Sequence, residues 1–301
     1  MQKSGFVTIL GKPNVGKSTL LNNILNSKAS IVSPKPQTTR VNIHGYITYK
    51  NNNGDEIQII FVDTPGYHKP VNELSQSMIK QIILALEDCD IILFMVDATN
   101  PNEKEDRETI EIFKDLSKTK ILVINKIDKL PDKKASLLIM EEYNELKIFS
   151  EIVPIIAIKN KNIDKLIQVI EKYLPQREHI QFDNLQPFQA NLKFYVSEII
   201  REKLFNYTYQ ELPYKTAVMV EKIEERKNNT LYISAVIFVE KDSQKSIIIG
   251  KKGNMIKKIG TLAREELEFL LNRKVYLDLW VKEKEGWTSN KDFLKSIGYI
   301  S

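Results

Sequence analysis

Cysteine is nearly absent from these 301 residues, and the single Cys89 excludes an internal disulfide and a cysteine-based metal site. Histidine is scarce too. His44, His68 and His179 lie far apart, which argues against a zinc centre. No apolar run approaches the roughly 18 residues that a membrane-spanning helix needs. The longest, around Ile91–Val96 and Ala235–Val239, are strand-sized. The opening Met1 to Gly5 leads into a short strand and lacks the apolar core of a signal peptide. A soluble, cytoplasmic chain is therefore expected. Hydrophobic residues at 42% and charged residues at 28% exclude a mainly disordered chain and a collagen-like or coiled-coil rod. A net charge of +5 names no partner by itself. Its distribution says more: Lys241, Lys245, Lys251, Lys252, Lys257 and Lys258 face a single acid, Asp242. Without context such a run is a solvated face.

The length suits two domains. Residues 1–175 alternate strand and helix patterns. Strand-like runs fall at 6–10, 57–62, 91–96, 121–124 and 153–158. Helical spacing falls at 18–25, around 78–86, and at 103–117, 134–147 and 163–174. This alternation predicts an α/β fold, a mostly parallel sheet covered by helices on both faces. Asn51 to Asp55, between alternating runs at 41–50 and 56–62, reads as a hairpin turn, so the sheet is mixed. Residues 176–190 are polar and aperiodic, a candidate linker. From 191 to 301 the order changes to helix, two strands, a Gly-containing loop between helices, and a last strand at 275–281, an α+β domain.

Gly11-Lys12-Pro13-Asn14-Val15-Gly16-Lys17-Ser18 matches G-x-x-x-x-G-K-[ST] and sits between a strand and a helix that Thr19 continues. Such a loop wraps backbone amides around phosphate oxygens. Lys17 supplies charge to the β- and γ-phosphates, and the Ser18 hydroxyl is placed to ligate magnesium. Asp63-Thr64-Pro65-Gly66 ends the strand 57–62, where a carboxylate faces the ligand crevice of such sheets. Asp63 would hold magnesium through water, and the Gly66 amide would sense the γ-phosphate. Asn125-Lys126-Ile127-Asp128 ends the strand 121–124. Asp128 can accept from guanine N1–H and the 2-amino group. Adenine would leave it facing an acceptor, a mismatch that such sites reject strongly.

These three motifs resemble those of the translation-factor-like GTPases. The segment Ser33-Pro-Lys-Pro-Gln37-Thr38-Thr39-Arg40 resembles the first switch loop of the Era family of bacterial GTPases. The resemblance implies that Thr39, rather than Thr38, completes the magnesium shell. It places the fifth family element on Ile155-Ile156-Ala157, with isoleucine where serine is usual and the Ala157 amide reaching the guanine carbonyl. Tyr67 stands where a Ras-like enzyme has its water-orienting glutamine. In GTPases of this kind the P-loop asparagine, here Asn14, helps hold potassium near the phosphates; the alternative is that Asn14 only shapes the loop. Lys17, Asn14, Thr39 and Gly66 are thus the expected catalytic residues. Ser18, Thr39 and Asp63 are the expected metal ligands.

Ile249-Gly250-Lys251-Lys252-Gly253, between two helices, resembles the GXXG loop of a KH domain, which clamps single-stranded RNA backbone. Lys257 and Lys258 extend its positive footprint, and Ile256 is expected to anchor the following helix. The element order resembles the type II KH arrangement. Trp280 reads as core and Cys89 as a small buried hydrophobe, and the acidic stretch Glu103–Glu111 reads as solvated. Trp287 is left undecided. From the P-loop to Tyr299 the whole chain resembles the Era family. That resemblance implies a GTPase using GTP and Mg2+, with K+ as a further ion. It implies a partner in the 3′ end of 16S ribosomal RNA and a role in small-subunit assembly. It also implies loose peripheral membrane association, for which the sequence has no anchor; a monomer is expected. The competing readings are an RNA-binding module with incidental hydrolysis and, against Asp128, an ATP-driven remodeller.

Overall fold

The computed structural model describes residues 2–177 and 191–300. They divide into two compact units, one from residues 2–32, 39–70 and 78–177, the other from 33–38, 71–77 and 191–300.

The first unit is a six-stranded sheet. In chain order its strands are β1 (Gln2–Leu10), β2 (Ile43–Lys50), β3 (Glu56–Asp63), β4 (Ile91–Asp97), β5 (Thr119–Asn125) and β6 (Glu151–Pro154). Across the sheet they run β2-β3-β1-β4-β5-β6, all parallel except β2 against β3. The central strand β4 is buried on both faces from Ile91 to Val96, which explains its unbroken apolar run. The edge strand β2 is mostly half-exposed. Its turn to β3 is closed by Asn51, whose Oδ1 accepts from the amides of Asn53 (3.0 Å) and Asp55 (2.9 Å). Helices α1 (Lys17–Leu25) and α5 (Ile163–Tyr173) pack Leu20, Leu21, Leu166 and Ile170 into the core on one face. On the other face α2 (Glu73–Asp88), α3 (Lys104–Phe113) and α4 (Lys133–Asn144) contribute Ile82, Leu86, Phe113 and Tyr143. Cys89 is buried in this second core, which pushes its thiol pKa up.

Two expectations are corrected here. The strand read at 153–158 ends at Pro154. Ile156 forms an isolated bridge with Lys161, and a turn over Ala157–Lys159 follows, closed by Asn160 in the left-handed region (φ 55°). The acidic stretch is not simply solvated, because α3 buries Asp106, Thr109, Ile110 and Phe113 along one side. Of the linker read at 176–190, Gln176 and Arg177 still pair with β1, through a bridge to Lys3 and a bond to the Gln2 carbonyl. Residues 178–190 lie outside the described residues.

The second unit contains α6 (Leu192–Tyr207), β7 (Thr216–Arg226), β8 (Thr230–Val239), α7 (Asp242–Ile249), α8 (Asn254–Leu271), β9 (Lys274–Glu283) and α9 (Lys291–Ser296). Its sheet runs β7-β8-β9, with β7/β8 antiparallel and β8/β9 parallel. Helices α6 and α8 touch β7, β9 and each other, covering the face formed by Leu231, Ile233, Ala235 and Val275. Trp287 is fully buried, its indole donating to the Lys215 carbonyl (3.1 Å). Trp280, read as core, is 57% exposed. Alternation along β9 turns Val275, Leu277 and Leu279 toward the helices and Trp280 the other way. Ile256 is half-buried, and the fully buried anchors of α8 are Ile259, Ala263 and Leu267. Residues 33–38, read as part of the first domain, count with this unit: Lys35 Nζ donates to the Phe205 and Thr208 carbonyls, and Arg201 to that of Thr38.

Candidate nucleotide site and RNA-binding loop

Three motif loops leave the C-terminal ends of parallel strands of the first unit, where a doubly wound sheet forms its ligand crevice. Between β1 and α1 the chain turns through Gly11 (φ 147°), Asn14 (φ 65°) and Gly16 (φ 109°). A Cβ at Gly11 would stand 2.2 Å from the Met95 carbonyl, and one at Gly16 would stand 2.5 Å from the Asn125 amide nitrogen. The loop therefore closes only with glycine. Lys17 is buried, its ammonium donating to the carbonyls of Gly11 (2.9 Å) and Lys12 (3.1 Å). Burial lowers its pKa from 10.5 to about 8, against the pull of Asp63.

Ser18, Ser30 and Thr39 converge on Asp63. Ser18 Oγ donates to Asp63 Oδ2 (2.7 Å), as does Ser30 Oγ (2.9 Å), and the Ser18 and Thr39 hydroxyls lie 3.1 Å apart. Asp63 is fully buried, and burial pushes its carboxyl up despite Lys17. Its Oδ1 has no hydrogen-bond partner among the described residues. A buried carboxylate with an unmatched oxygen beside two hydroxyls is a hard-oxygen donor set that fits Mg2+. Thr38 turns its own hydroxyl to the Lys35 carbonyl (2.8 Å). Thr64 ties the D-x-x-G segment to β1 through the Ile9 carbonyl (2.7 Å). Gly66 passes so close to the P-loop that a Cβ would meet Pro13 at 2.7 Å. Tyr67 packs against the core around Phe94.

At the base end, Asn125 bridges two loops. Its Nδ2 donates to the Val15 carbonyl (2.7 Å), and its Oδ1 accepts from the Ala157 amide (2.9 Å). The Ala157 amide, expected to reach the base, is thus spent on holding Asn125. Lys126 donates to the Asn14 carbonyl (2.8 Å) and to Asp97 (2.5 Å). Burial works to raise the Asp97 pKa, but Lys126 and Thr99 hold it below the usual carboxylate range. Asp128 pairs with Lys159 (2.8 Å), which keeps its carboxyl low and ionised. Lys12 differs from its expected place. Its ammonium donates to the Asn100 carbonyl (2.8 Å), Glu103 (2.5 Å) and Asp106 (3.1 Å), so only its backbone belongs to the phosphate loop. Sequence reading missed Ser30, Asp97 and Lys159. Only Asp97 carried a signal, as a carboxylate ending a strand.

In the second unit Ile249 ends α7, and Gly250 (φ 73°), Lys252 (φ 54°) and Gly253 (φ 76°) turn the chain into α8. A Cβ at Gly250 would meet Met255 at 2.7 Å, whereas one at Gly253 meets open space. Lys251, Lys252, Lys257 and Lys258 are exposed, and Lys258 lies over the Tyr207 ring at 4.1 Å. The loop presents exposed cations beside a close-approach glycine, the arrangement that suits backbone phosphates.

A P-loop with the D-x-x-G and N-K-x-D loops beside it in one unit, and a GXXG loop in the other, define a GTPase joined to a KH domain. The comparisons agree. Residues 6–126 match the 50S ribosome-binding GTPase family and 211–288 the KH domain family. The chain is 46% identical to GTPase Era of Thermotoga maritima over 97% of its length and 95% of the relative's. It is 44% identical to GTPase Era of Clostridioides difficile, with 99% of each covered. A crystal structure of a tyrosine variant of Aquifex aeolicus Era bound to GDP·AlF4− matches with a TM-score of 0.94 at 42% identity, covering 99% of this chain and 100% of that one. An Era structure in complex with MgGDPNP and nucleotides 1506–1542 of 16S ribosomal RNA matches at 0.93 and 42%, with 100% of each covered. The chain belongs to the Era family of GTPases.

Proposed function

We propose that this chain is a GTP-hydrolysing switch that binds the 3′-end region of 16S ribosomal RNA and assists assembly of the small subunit. The carrying observation is the convergence of Ser18, Thr39 and the unmatched Asp63 oxygen beside Lys17, in a chain alike over its whole length to an Era that holds both MgGDPNP and that RNA segment. In this reading the backbone N–H groups of the Gly11–Thr19 loop, Pro13 excepted, cradle the phosphates and Lys17 neutralises the β- and γ-oxygens. Ser18 and Thr39 would hold Mg2+ directly and Asp63 through water, and the bound ion would supply positive charge to the β- and γ-phosphates. Thr64 and Pro65 hold Gly66 in place to donate its amide to the γ-phosphate. Asn125 and Lys126 brace the loops that place Asp128 against guanine. In the second unit, Ile249, Gly250, Lys251, Lys252 and Gly253, with Lys257 and Lys258, grip RNA backbone. The nucleotide domain spans 1–175 and the RNA domain 191–301. A monomer in the cytoplasm, with loose peripheral membrane contact, completes the reading. Among the described residues no helix is long and apolar enough to cross a membrane.

Tyr67 offers no amide to orient water and packs against the core, so charge stabilisation must come from elsewhere. We assign it to potassium held with the help of Asn14. The test is GTP turnover with and without RNA in potassium and in sodium. Faster turnover in potassium, lost in Asn14→Ala, is expected. Equal rates in the two salts remove the potassium role, and no turnover in either favours an RNA-binding module regulated by nucleotide.

A further inference from the structure

One face of the second unit's sheet is turned away from α6 and α8. Alternation and register put Arg226 of β7, Tyr232 of β8 and Tyr276, Asp278 and Trp280 of β9 on it. Tyr232 and Tyr276 are cross-strand partners, their rings stacked with centroids 5.8 Å apart and planes 25° from parallel. The Arg226 guanidinium lies 3.8 Å over the Tyr232 ring and 5.5 Å from that of Tyr276. Asp278 ties Tyr232 to Trp280, accepting from the Tyr232 hydroxyl (3.3 Å) and the Trp280 indole (3.2 Å), while Tyr276 is held by its stacking on Tyr232. Even so, Tyr276 is 56% exposed and Trp280 57%. Two large aromatics left in water and held in position form a built surface rather than core.

We propose that this face is a second RNA-contact surface, on which two or three unpaired bases of a strand stack against Tyr276, Trp280 and Arg226. It is separate from the Gly250–Gly253 loop and rests on the reading of the chain as an RNA binder. Three features favour RNA over a protein partner. The rings are interleaved with charge, not with the aliphatic anchors of a protein interface core. Ring and guanidinium planes accept the π-face of any base. The balance of unpaired charge on the face is positive: Lys222 is matched by Glu224 (2.7 Å), while Arg226 and Lys274 have no carboxylate partner among the described residues, against the one carboxylate Asp278, which accepts only from Tyr232 and Trp280. Rings already held, Trp280 by Asp278 and Tyr276 by stacking on Tyr232, lose little freedom on binding.

Trp280 reports on the idea directly, because the other tryptophan, Trp287, is fully buried. The full chain is titrated with a short oligouridylate and with an RNA duplex of equal length while tryptophan emission is followed. The titrations are repeated with Lys251→Asp/Lys252→Asp, Tyr276→Ala and Tyr276→Phe, each checked by circular dichroism. The single strand should quench Trp280, also in the loop variant, and the duplex should not. Tyr276→Ala should weaken single-strand binding at least about fivefold, the lower end for one stacked base, and Tyr276→Phe should restore it. Equal quenching by duplex, quenching lost with the loop variant, or unchanged affinity in Tyr276→Ala overturns the platform and leaves the loop's role standing. If neither the loop variant nor Tyr276→Ala lowers affinity, the RNA reading itself fails.

Discussion

Raising the pH should cost this chain nucleotide affinity through one lysine. Lys17 is buried in the P-loop and titrates near 8, well below its ordinary 10.5, because burial penalises its charge more than Asp63 supports it. That difference corresponds to about 3 kcal/mol. The unfolded chain holds the Lys17 proton more tightly, so between about pH 8 and 10.5 this group's contribution to stability grows with pH. Nucleotide reverses the balance, since phosphate oxygens beside Lys17 favour the ammonium. Binding above pH 8 must therefore take up a proton. At pH 8.5 about a quarter of the free protein carries it, so uptake approaches about 0.75 proton per nucleotide, against about 0.1 at pH 7. Affinity for GDP should fall about fourfold between those values. Calorimetric titration in buffers of different ionisation heat reads the uptake, and Lys17→Arg, charged throughout, should abolish it. No uptake at pH 8.5, or equal uptake in the arginine variant, would refute the reasoning.

Asp128→Asn should shift base selectivity toward xanthine nucleotides, because the amide donates to a 2-oxo group; competition of XTP against GTP measures it, and the wild-type ratio would show that Asp128 does not read the base. Arg201 is fully buried and donates to Glu198 (2.7 Å from its Nε). Glu198→Ala leaves that charge without its carboxylate and should cost about 3–5 kcal/mol in urea unfolding; a loss below about 1 kcal/mol, the worth of an exposed pair, contradicts the account. Lys251→Asp/Lys252→Asp should weaken ribosomal RNA binding, keep GTP binding and flatten the salt dependence by about 0.7 per lost phosphate contact. Unchanged RNA affinity would make those lysines a solvated face.

What could be read from the sequence was what local pattern controls. The P-loop, the carboxylate-ended strands and the order of elements in the second unit follow from glycine positions and apolar periods. The hairpin at Asn51 was legible because an Asx turn is written in one residue. What was missed depends on partners far along the chain. Lys12 was legible only as a P-loop position, and that its ammonium is drawn to Glu103 and Asp106 at the start of α3 was not. Ala157 looked free for the base, yet its amide supports Asn125. Trp280 was misread because alternation says which residues share a face but not which face the helices cover. Segment 33–38 was assigned by its place in the chain, whereas Lys35 and Thr38 bond to residues of α6 and just beyond it.

The central claim is that this GTPase acts on the 3′ end of small-subunit ribosomal RNA. Crosslinking the chain to RNA in cells and sequencing what is bound tests it most directly. The account predicts reads concentrated at the 3′ end of 16S ribosomal RNA, depleted in Lys251→Asp/Lys252→Asp. Reads spread over other RNAs, or unchanged by that variant, would contradict it.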